Sequence, residues 1–274
     1  NLAVVTNPGC DNVSFIDLAS GTITSSVNVQ SQPRGVAVSP RLGTAVVTNS
    51  GTGSASILNL TTSPPSVTTS VTVGSEPMGV AIDERTGNAV VANATSNSIS
   101  IFNAASGGAV QAVSVVARPV AVAIDPDRQF AAVANAASNT LAVVNLTSLS
   151  IIGQVPNVFL PTAVVFDPVT QTFICNASLG NSLTLVNPDT LQTSAARVGI
   201  NPTSIAYNFN SSTLVTVNTA SKSISVMDFI QRRIRDVIAI SGSPQLAVAI
   251  HPRTNLAVVS DADNNRVLLV PLPR

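Results

Sequence analysis

Hydrophobic residues in this chain come in short runs, each closed by a small polar cluster, and the same order of runs returns repeatedly. The stretch from Pro77 to Arg118 shows one full cycle. Met78-Gly79-Val80-Ala81-Ile82 predicts a short strand of small residues, strand a. A polar turn at residues 83–87 leads into Asn88-Ala89-Val90-Val91-Ala92-Asn93, strand b. Ser98-Ile99-Ser100-Ile101-Phe102-Asn103 alternates with period two and predicts strand c, and Ala109-Val110-Gln111-Ala112-Val113-Ser114-Val115 predicts strand d. Short strands joined by turns rich in Gly, Asn, Asp and Ser form one antiparallel sheet.

The cycle recurs along the whole sequence. Val-Val-Thr-Asn ends at Asn7 and Asn49, and its relatives end at Asn93, Asn135, Asn176, Asn218 and Asp261, always 41 to 44 residues apart. A second phrase, a proline followed after two or three residues by a small apolar run, begins at Pro33, Pro77, Pro119, Pro161, Pro202 and Pro244. A period in the forties with four short strands per unit predicts an all-β fold, a β-propeller of four-stranded antiparallel blades. The chain reads as a single propeller domain over residues 1–274. Its repeats are 33–76, 77–118, 119–160, 161–201 and 202–243, with partial ones at 1–32 and 244–274. Seven b strands and seven c strands, against six a and six d, favour seven blades with each terminal blade one strand short; six blades is the alternative. The first residues fall in mid-repeat with no leader-like segment before them, as in a chain excised from a longer one or processed.

Some positions in the repeat explain themselves. Gly35, Gly79, Ala121, Ala163, Ser204 and Ala247 hold the same place on strand a, where neighbouring blades crowd together and a bulky side chain would push them apart. The proline fixes φ where the chain passes from one blade to the next. The Asn closing strand b is expected to bond backbone groups of the b–c turn.

Thr44-Ala45-Val46-Val47-Thr48-Asn49, Ser98-Ile99-Ser100-Ile101-Phe102-Asn103 and Pro33-Arg34-Gly35-Val36-Ala37-Val38, each recurring down the chain, resemble the YVTN-type β-propeller repeat of surface-layer and secreted bacterial and archaeal proteins. The aromatic residue that opens that signature is Val or Ala in most copies here. The resemblance implies an extracellular, cell-surface or periplasmic location. It leaves function open, because related propellers include binding proteins, lactonases and lyases.

Composition narrows the choice. Hydrophobic residues make up 45% of the chain and charged residues 9%, with a formal net charge of zero. Nucleic-acid binding needs a basic excess to displace counterions, so no nucleic-acid partner is expected. The single basic cluster, Gln231-Arg232-Arg233-Ile234-Arg235, fits the solvated side of an outer strand. No apolar run approaches the ~18 residues of a bilayer span, so no membrane insertion is expected. Cys10 and Cys175 stand at different offsets in distant repeats, which argues against a disulfide and makes Cys175 a small core residue.

In propellers, by analogy, function gathers at the central mouth, on the face carrying the d–a and b–c loops. The expected ligand-binding residues there are Arg34, Glu76, Met78, Arg118, Thr162, Thr203 and Gln245, and the b–c turns add Asp11, Lys222, Asp263 and Arg266. Arg34, Glu76 and Arg118 are the charged residues nearest the mouth and suit a small anion or a sugar; a plain surface ion pair is the competing reading. On the opposite face Ser39, Asp83, Asp125, Asp167, Asn208 and His251 share one place in the repeat. A calcium ring would use acidic residues so placed, but β-turn openings favour the same types. His251 is the sole histidine, and no Ser–His–acid set, Cys–His pair or phosphate-cradling glycine loop accompanies it. No catalytic residue, metal site or cofactor is therefore expected. The preferred reading is a non-catalytic binding or scaffold propeller with a protein or carbohydrate ligand. The alternative is a lactonase- or lyase-like enzyme with its site at the channel mouth.

Overall fold

The structure, a computed structural model, describes residues 2–240 and 247–273. Pro244 and Gln245 lie outside the described residues. Seven antiparallel sheets follow one another in chain order as the blades of a seven-bladed β-propeller. The chain divides into two compact units. One runs through Ser138 and takes in Ala142–Ile152; the other comprises Asn139–Leu141 and everything from Gly153 onward.

In the first unit, blade 1 holds β1 (Leu2–Asn7), β2 (Asn12–Asp17) and β3 (Thr22–Asn28). Blade 2 holds β4 (Pro33–Ser39), β5 (Thr44–Asn49), β6 (Ser54–Asn59) and β7 (Ser66–Thr72), and blade 3 holds β8 (Pro77–Ile82), β9 (Asn88–Asn93), β10 (Ser98–Asn103) and β11 (Gly107–Ser114). Blade 4, within which the division falls, holds β12 (Pro119–Asp125), β13 (Phe130–Asn135), β14 (Thr140–Asn145) and β15 (Ser150–Val155). In the second unit, blade 5 holds β16 (Val164–Asp167), β17 (Thr172–Ala177), β18 (Ser182–Val186) and β19 (Thr193–Arg197). Blade 6 holds β20 (Pro202–Asn208), β21 (Thr213–Asn218), β22 (Ser223–Asp228) and β23 (Arg233–Ala239), and blade 7 holds β24 (Val248–His251), β25 (Leu256–Asp261) and β26 (Arg266–Pro271). Blades 1 and 7 have three strands and the rest four, as the strand count in the sequence predicts.

The core lies between sheets, not within one. On β9, Ala89 and Val91 pack toward Val46, Ala55 and Ile57 of blade 2, while Val90 packs toward Val122, Ile124 and Val133 of blade 4. In the second unit Ile174, Leu183 and Leu185 of blade 5 meet Ile205, Leu214 and Met227 of blade 6, and Val215 and Val217 meet Ala257 and Val259 of blade 7. Both faces of strand b are thus buried, which is why it reads as a continuous apolar run. The d strands are largely exposed, and the basic cluster sits there: Arg235 pairs with Asp228, and Arg232 donates to Ser194.

The small residues of strand a have the expected cause. A Cβ built on Gly79 would stand 2.8 Å from both the Ala121 Cα and the Val120 carbonyl oxygen. The a–b turns then tie blade to blade. Arg85 reaches Asp127 and the Pro126 carbonyl, and Gln129 Nε2 donates to Asp83 Oδ2 at 2.7 Å. In the second unit Asn208 Nδ2 donates to Asn255 Oδ1 at 3.0 Å. The residues that open these turns also close them. Asp83, Asp125 and Asp167 each accept the backbone N–H two residues on, and His251 Nδ1 accepts the N–H of Thr254.

One expectation is corrected. Asn49, Asn93 and Asn218, which close strand b in their blades, bond the neighbouring c strand and not the b–c turn backbone. Asn49 Nδ2 donates to the Ser54 and Ser56 hydroxyls, Asn93 Nδ2 to Ser98 and Ser100, and Asn218 Nδ2 to Ser223 and Ser225. The serines lie on the neighbouring c strand within reach of the amide, whereas the turn's own N–H groups are engaged by backbone carbonyls such as those of Gln32 and Glu76. Asn176 differs: its Oδ1 accepts the N–H groups of Thr162 and Ala163, where β16 starts late.

Candidate functional site

Each d–a loop among the described residues ends on a residue with left-handed backbone immediately before the blade's first proline. Gln32, Glu76, Arg118, Leu160 and Asn201 have φ between 50° and 56°. A non-glycine residue is uncommon there and persists only when its surroundings hold it. Two bonds do so. The residue's carbonyl accepts an N–H from the next b–c turn, as Glu76 O accepts Ala94 N at 2.9 Å and Arg118 O accepts Ala136 N at 3.0 Å. In four of the five the residue's own N–H is taken by a turn side chain, while for Glu76 the turn residue in that place is Gly53. Asp11 Oδ1 accepts Gln32 N at 2.8 Å, Asn97 Oδ1 accepts Arg118 N at 2.8 Å, Asn139 Oδ1 accepts Leu160 N at 2.8 Å, and Asn181 Oδ1 accepts Asn201 N at 2.9 Å. The same turn residues offer their carbonyls to the end of strand d, as Asn97 O does to Val115 N.

These bonds fix where the expected ligand residues stand. In the first unit, Glu76 and Arg118 form an ion pair at 3.3 Å, and Glu76 Oε2 also accepts the Thr95 hydroxyl at 2.6 Å. The surface ion pair weighed against an anion site is therefore present. Arg34 is exposed on β4, its carbonyl held by the Thr6 hydroxyl at 2.9 Å, and Met78 lies half-buried on β8 with its carbonyl held by the Thr48 hydroxyl at 2.6 Å. Among the described residues no carboxylate or acceptor meets the Arg34 guanidinium. Every other arginine of this unit is matched: Arg41 with Glu84, Arg85 with Asp127, Arg118 with Glu76 and Arg128 with Asp125.

In the second unit the Thr162 hydroxyl donates to the Thr203 carbonyl at 2.8 Å and receives Asn176 Nδ2 at 2.6 Å, so Thr162 and Thr203 come together but spend their polar atoms on each other and on the fold. Gln245 is outside the described residues. Of the turn residues, Asp11 serves as a backbone cap and Arg266 pairs with Asp261 at 2.8 Å.

Groups with shifted pKa values occur in both units, each with its own local cause. Hydrogen bonds from Ala19 and Ser20 hold the Asp17 carboxyl below its ordinary value, and Arg266 and Asn264 do the same for Asp261. The Gln231 N–H and Arg235 lower Asp228. Burial alone would raise Asp83, but bonds from Gln129, Thr86 and the Arg85 N–H carry it below the usual range. Burial pushes the Cys175 thiol and the Tyr207 phenol upward. These six residues belong to six different strands or strand ends. Among the described residues no group of three or more His, Cys, Asp or Glu side chains is placed to hold a metal ion, and no helix is long and apolar enough to cross a membrane.

Sequence reading missed two features. The capping role of Asn97, Asn139 and Asn181 had a signal, since each precedes its loop partner by 20 or 21 residues. The exposed apolar side chains Phe159, Leu160, Leu179 and Ile200 replace the polar or small residues of other repeats, which was visible once the loops were aligned.

No family model matches the chain, and no curated protein matches its sequence. Among solved structures the fold is similar to that of Kuenenia stuttgartiensis hydrazine synthase, with a TM-score of 0.86 and 16% identity over 99% of this chain and 92% of that one. At that identity the likeness is one of fold.

Proposed function

We propose that this chain is a non-catalytic binding module of the YVTN-type propeller class, working outside the cell or at its surface, and that blades 2 to 4 bind a small anionic ligand such as an acidic sugar. The observation that carries the reading is Arg34: an exposed guanidinium without a partner among the described residues, in a unit where every other arginine has one. Its counterparts in the repeat are Met78, Val120, Thr162, Thr203 and Gln245, so the scaffold does not need a cation there. Unpaired, it offers a planar fork suited to a carboxylate or sulfate. The Glu76–Arg118 pair and the Met78 side chain supply polar and apolar flanks.

The lowered carboxyls are engaged in structural bonds, Asp83 with Gln129 and Asp261 with Arg266, which supports a binding role over the lactonase- or lyase-like alternative, since catalysis needs such groups free in one pocket. The hydrazine synthase likeness adds no activity to the reading, because one fold hosts many functions. A glycan array carrying uronic-acid, sulfated and neutral sugars tests it. Acidic glycans should bind, and Arg34→Glu should abolish the signal at low salt. Equal binding of neutral glycans, or indifference to Arg34→Glu, would reject the site.

A further inference from the structure

We propose that the loop end of blade 5 is a docking surface for a short, uncharged, apolar peptide segment of another protein. Four large apolar side chains stand in water there: Phe159 at 48% exposure, Leu160 at 37%, Leu179 at 70% and Ile200 at 57%. They come from three adjacent loops whose neighbourhood is fixed by hydrogen bonds. Leu179 N donates to Phe159 O and Ser178 N to Leu160 O, while Asn181, at the end of the same turn, accepts Asn201 N.

The repeat supplies its own baseline for these positions. Two residues before the proline, the first unit has Ser31, Ser75 and Ala117, where the second has Phe159 and Ile200. Immediately before the proline, Gln32, Glu76 and Arg118 give way to Leu160. The loops keep the same left-handed backbone with either set, Leu160 at φ 50° and Arg118 at 56°. The fold therefore does not call for apolar residues, and departures from a scaffold pattern are where function is found.

The character of the surface selects the occupant. Residues 156–162, 177–181 and 198–203 contain no ionisable side chain. A charged peptide would be desolvated there without a counter-charge. A bilayer is ordinarily read by a cluster of several basic residues beside the apolar tips, whereas two single cations border these loops, Arg197 beside Gly180 and Asn181 and Lys222 next to the Ser221 that binds Ile200 N. A second copy of the chain would need about 800 Å² per partner for a stable interface, whereas four part-exposed side chains offer on the order of 400 Å². That area suits a few residues of an extended segment carrying one or two aliphatic or aromatic side chains.

The test is selection of a random dodecapeptide display library on the protein, with counter-selection on the Phe159→Ser/Leu179→Ser/Ile200→Ser variant, whose serines at 159 and 200 are those of the equivalent loops, Ser31 and Ser75. Thermal melting of the variant first establishes that it folds; if it does not, Leu179→Ser alone takes its place. Selected peptides, resynthesised and measured by fluorescence polarisation, should have uncharged apolar centres. They should lose at least tenfold in affinity on the variant and bind alike at 20 and 500 mM NaCl. The proposal is overturned if no peptide survives counter-selection or if the survivors are charged and salt-sensitive. It is equally overturned if the variant instead abolishes dimerisation in sedimentation or binding to neutral phosphatidylcholine vesicles, which would assign the surface to a second copy or to a bilayer. The anionic site of blades 2 to 4 shares none of these residues, so either reading can fail alone.

Discussion

The Asn97 side-chain oxygen accepts the Arg118 N–H at 2.8 Å across 21 residues of sequence. This one bond joins a b–c turn to the loop that enters the next blade, and it holds Arg118 in a left-handed backbone. Asn97→Gly removes the acceptor while leaving a residue at ease with φ 51°. It should lower stability by about 1 kcal/mol, the usual size of a net hydrogen bond, and Asn97→Asp should restore most of it. Urea unfolding midpoints of the three proteins decide the matter; an unchanged midpoint in Asn97→Gly would show that the left-handed loop needs no cap.

Close packing of the a strands predicts a sharp difference between two glycines. Gly79→Ala places its Cβ against backbone atoms of Val120 and Ala121, which cannot swing aside, whereas a Cβ on Gly9 meets nothing within 4 Å. The first change should destabilise by roughly 1–3 kcal/mol through overpacking and the second should be close to neutral. Thermal or urea melts of both variants check this, and equal midpoints would remove crowding as the reason for small residues on strand a.

Architecture was legible because one physical requirement repeats in every blade. Val90 and Val91 must each face a neighbouring sheet, so apolar runs recur, and the turns between them need Gly, Asn or Asp at fixed places. The candidate site was legible only in part. Arg34, Glu76 and Arg118 are visible as breaks in the repeat, and the structure pairs two of them and leaves the third without a partner. Which ones pair depends on loop backbone geometry that pattern does not encode. The role of Asn93 was misread because its partners, Ser98 and Ser100, become neighbours only through the antiparallel register of β9 and β10.

Acid sensitivity follows from the lowered carboxyls. Asp17, Asp83, Asp228 and Asp261 all titrate below their ordinary values in the folded state. Their contribution is complete above the unfolded carboxyl pKa of about 3.9 and is lost as pH falls through the lower folded values. Stability should therefore hold from neutrality to about pH 4 and decline below it. Asp261→Asn, which installs the residue found at this place in the other repeats, should make that acid limb shallower. A limb as steep as in the parent, measured by urea melts from pH 2 to 7, would deny Asp261 a part in it.

The two thiols should behave differently. Cys10 is exposed, while Cys175 is buried with its thiol pushed upward. Since the thiolate is the reactive form, Ellman's reagent at pH 8 should titrate one thiol rapidly in the native protein and the second only in denaturant. Rapid reaction of both would mean that β17 opens readily.

The most direct test of the binding site uses the two methionines of the chain. Met78 lies on β8 beside the Arg34 strand, and Met227 is 2% exposed in the core between blades 5 and 6. With 13C-methyl methionine labelling, titration with glucuronate should move the Met78 methyl resonance and leave Met227 in place. Arg34→Glu should cancel the movement, and added salt should weaken it. A Met78 signal that stays fixed while glucuronate binds by calorimetry, or that moves equally in Arg34→Glu, would contradict the assignment of this site.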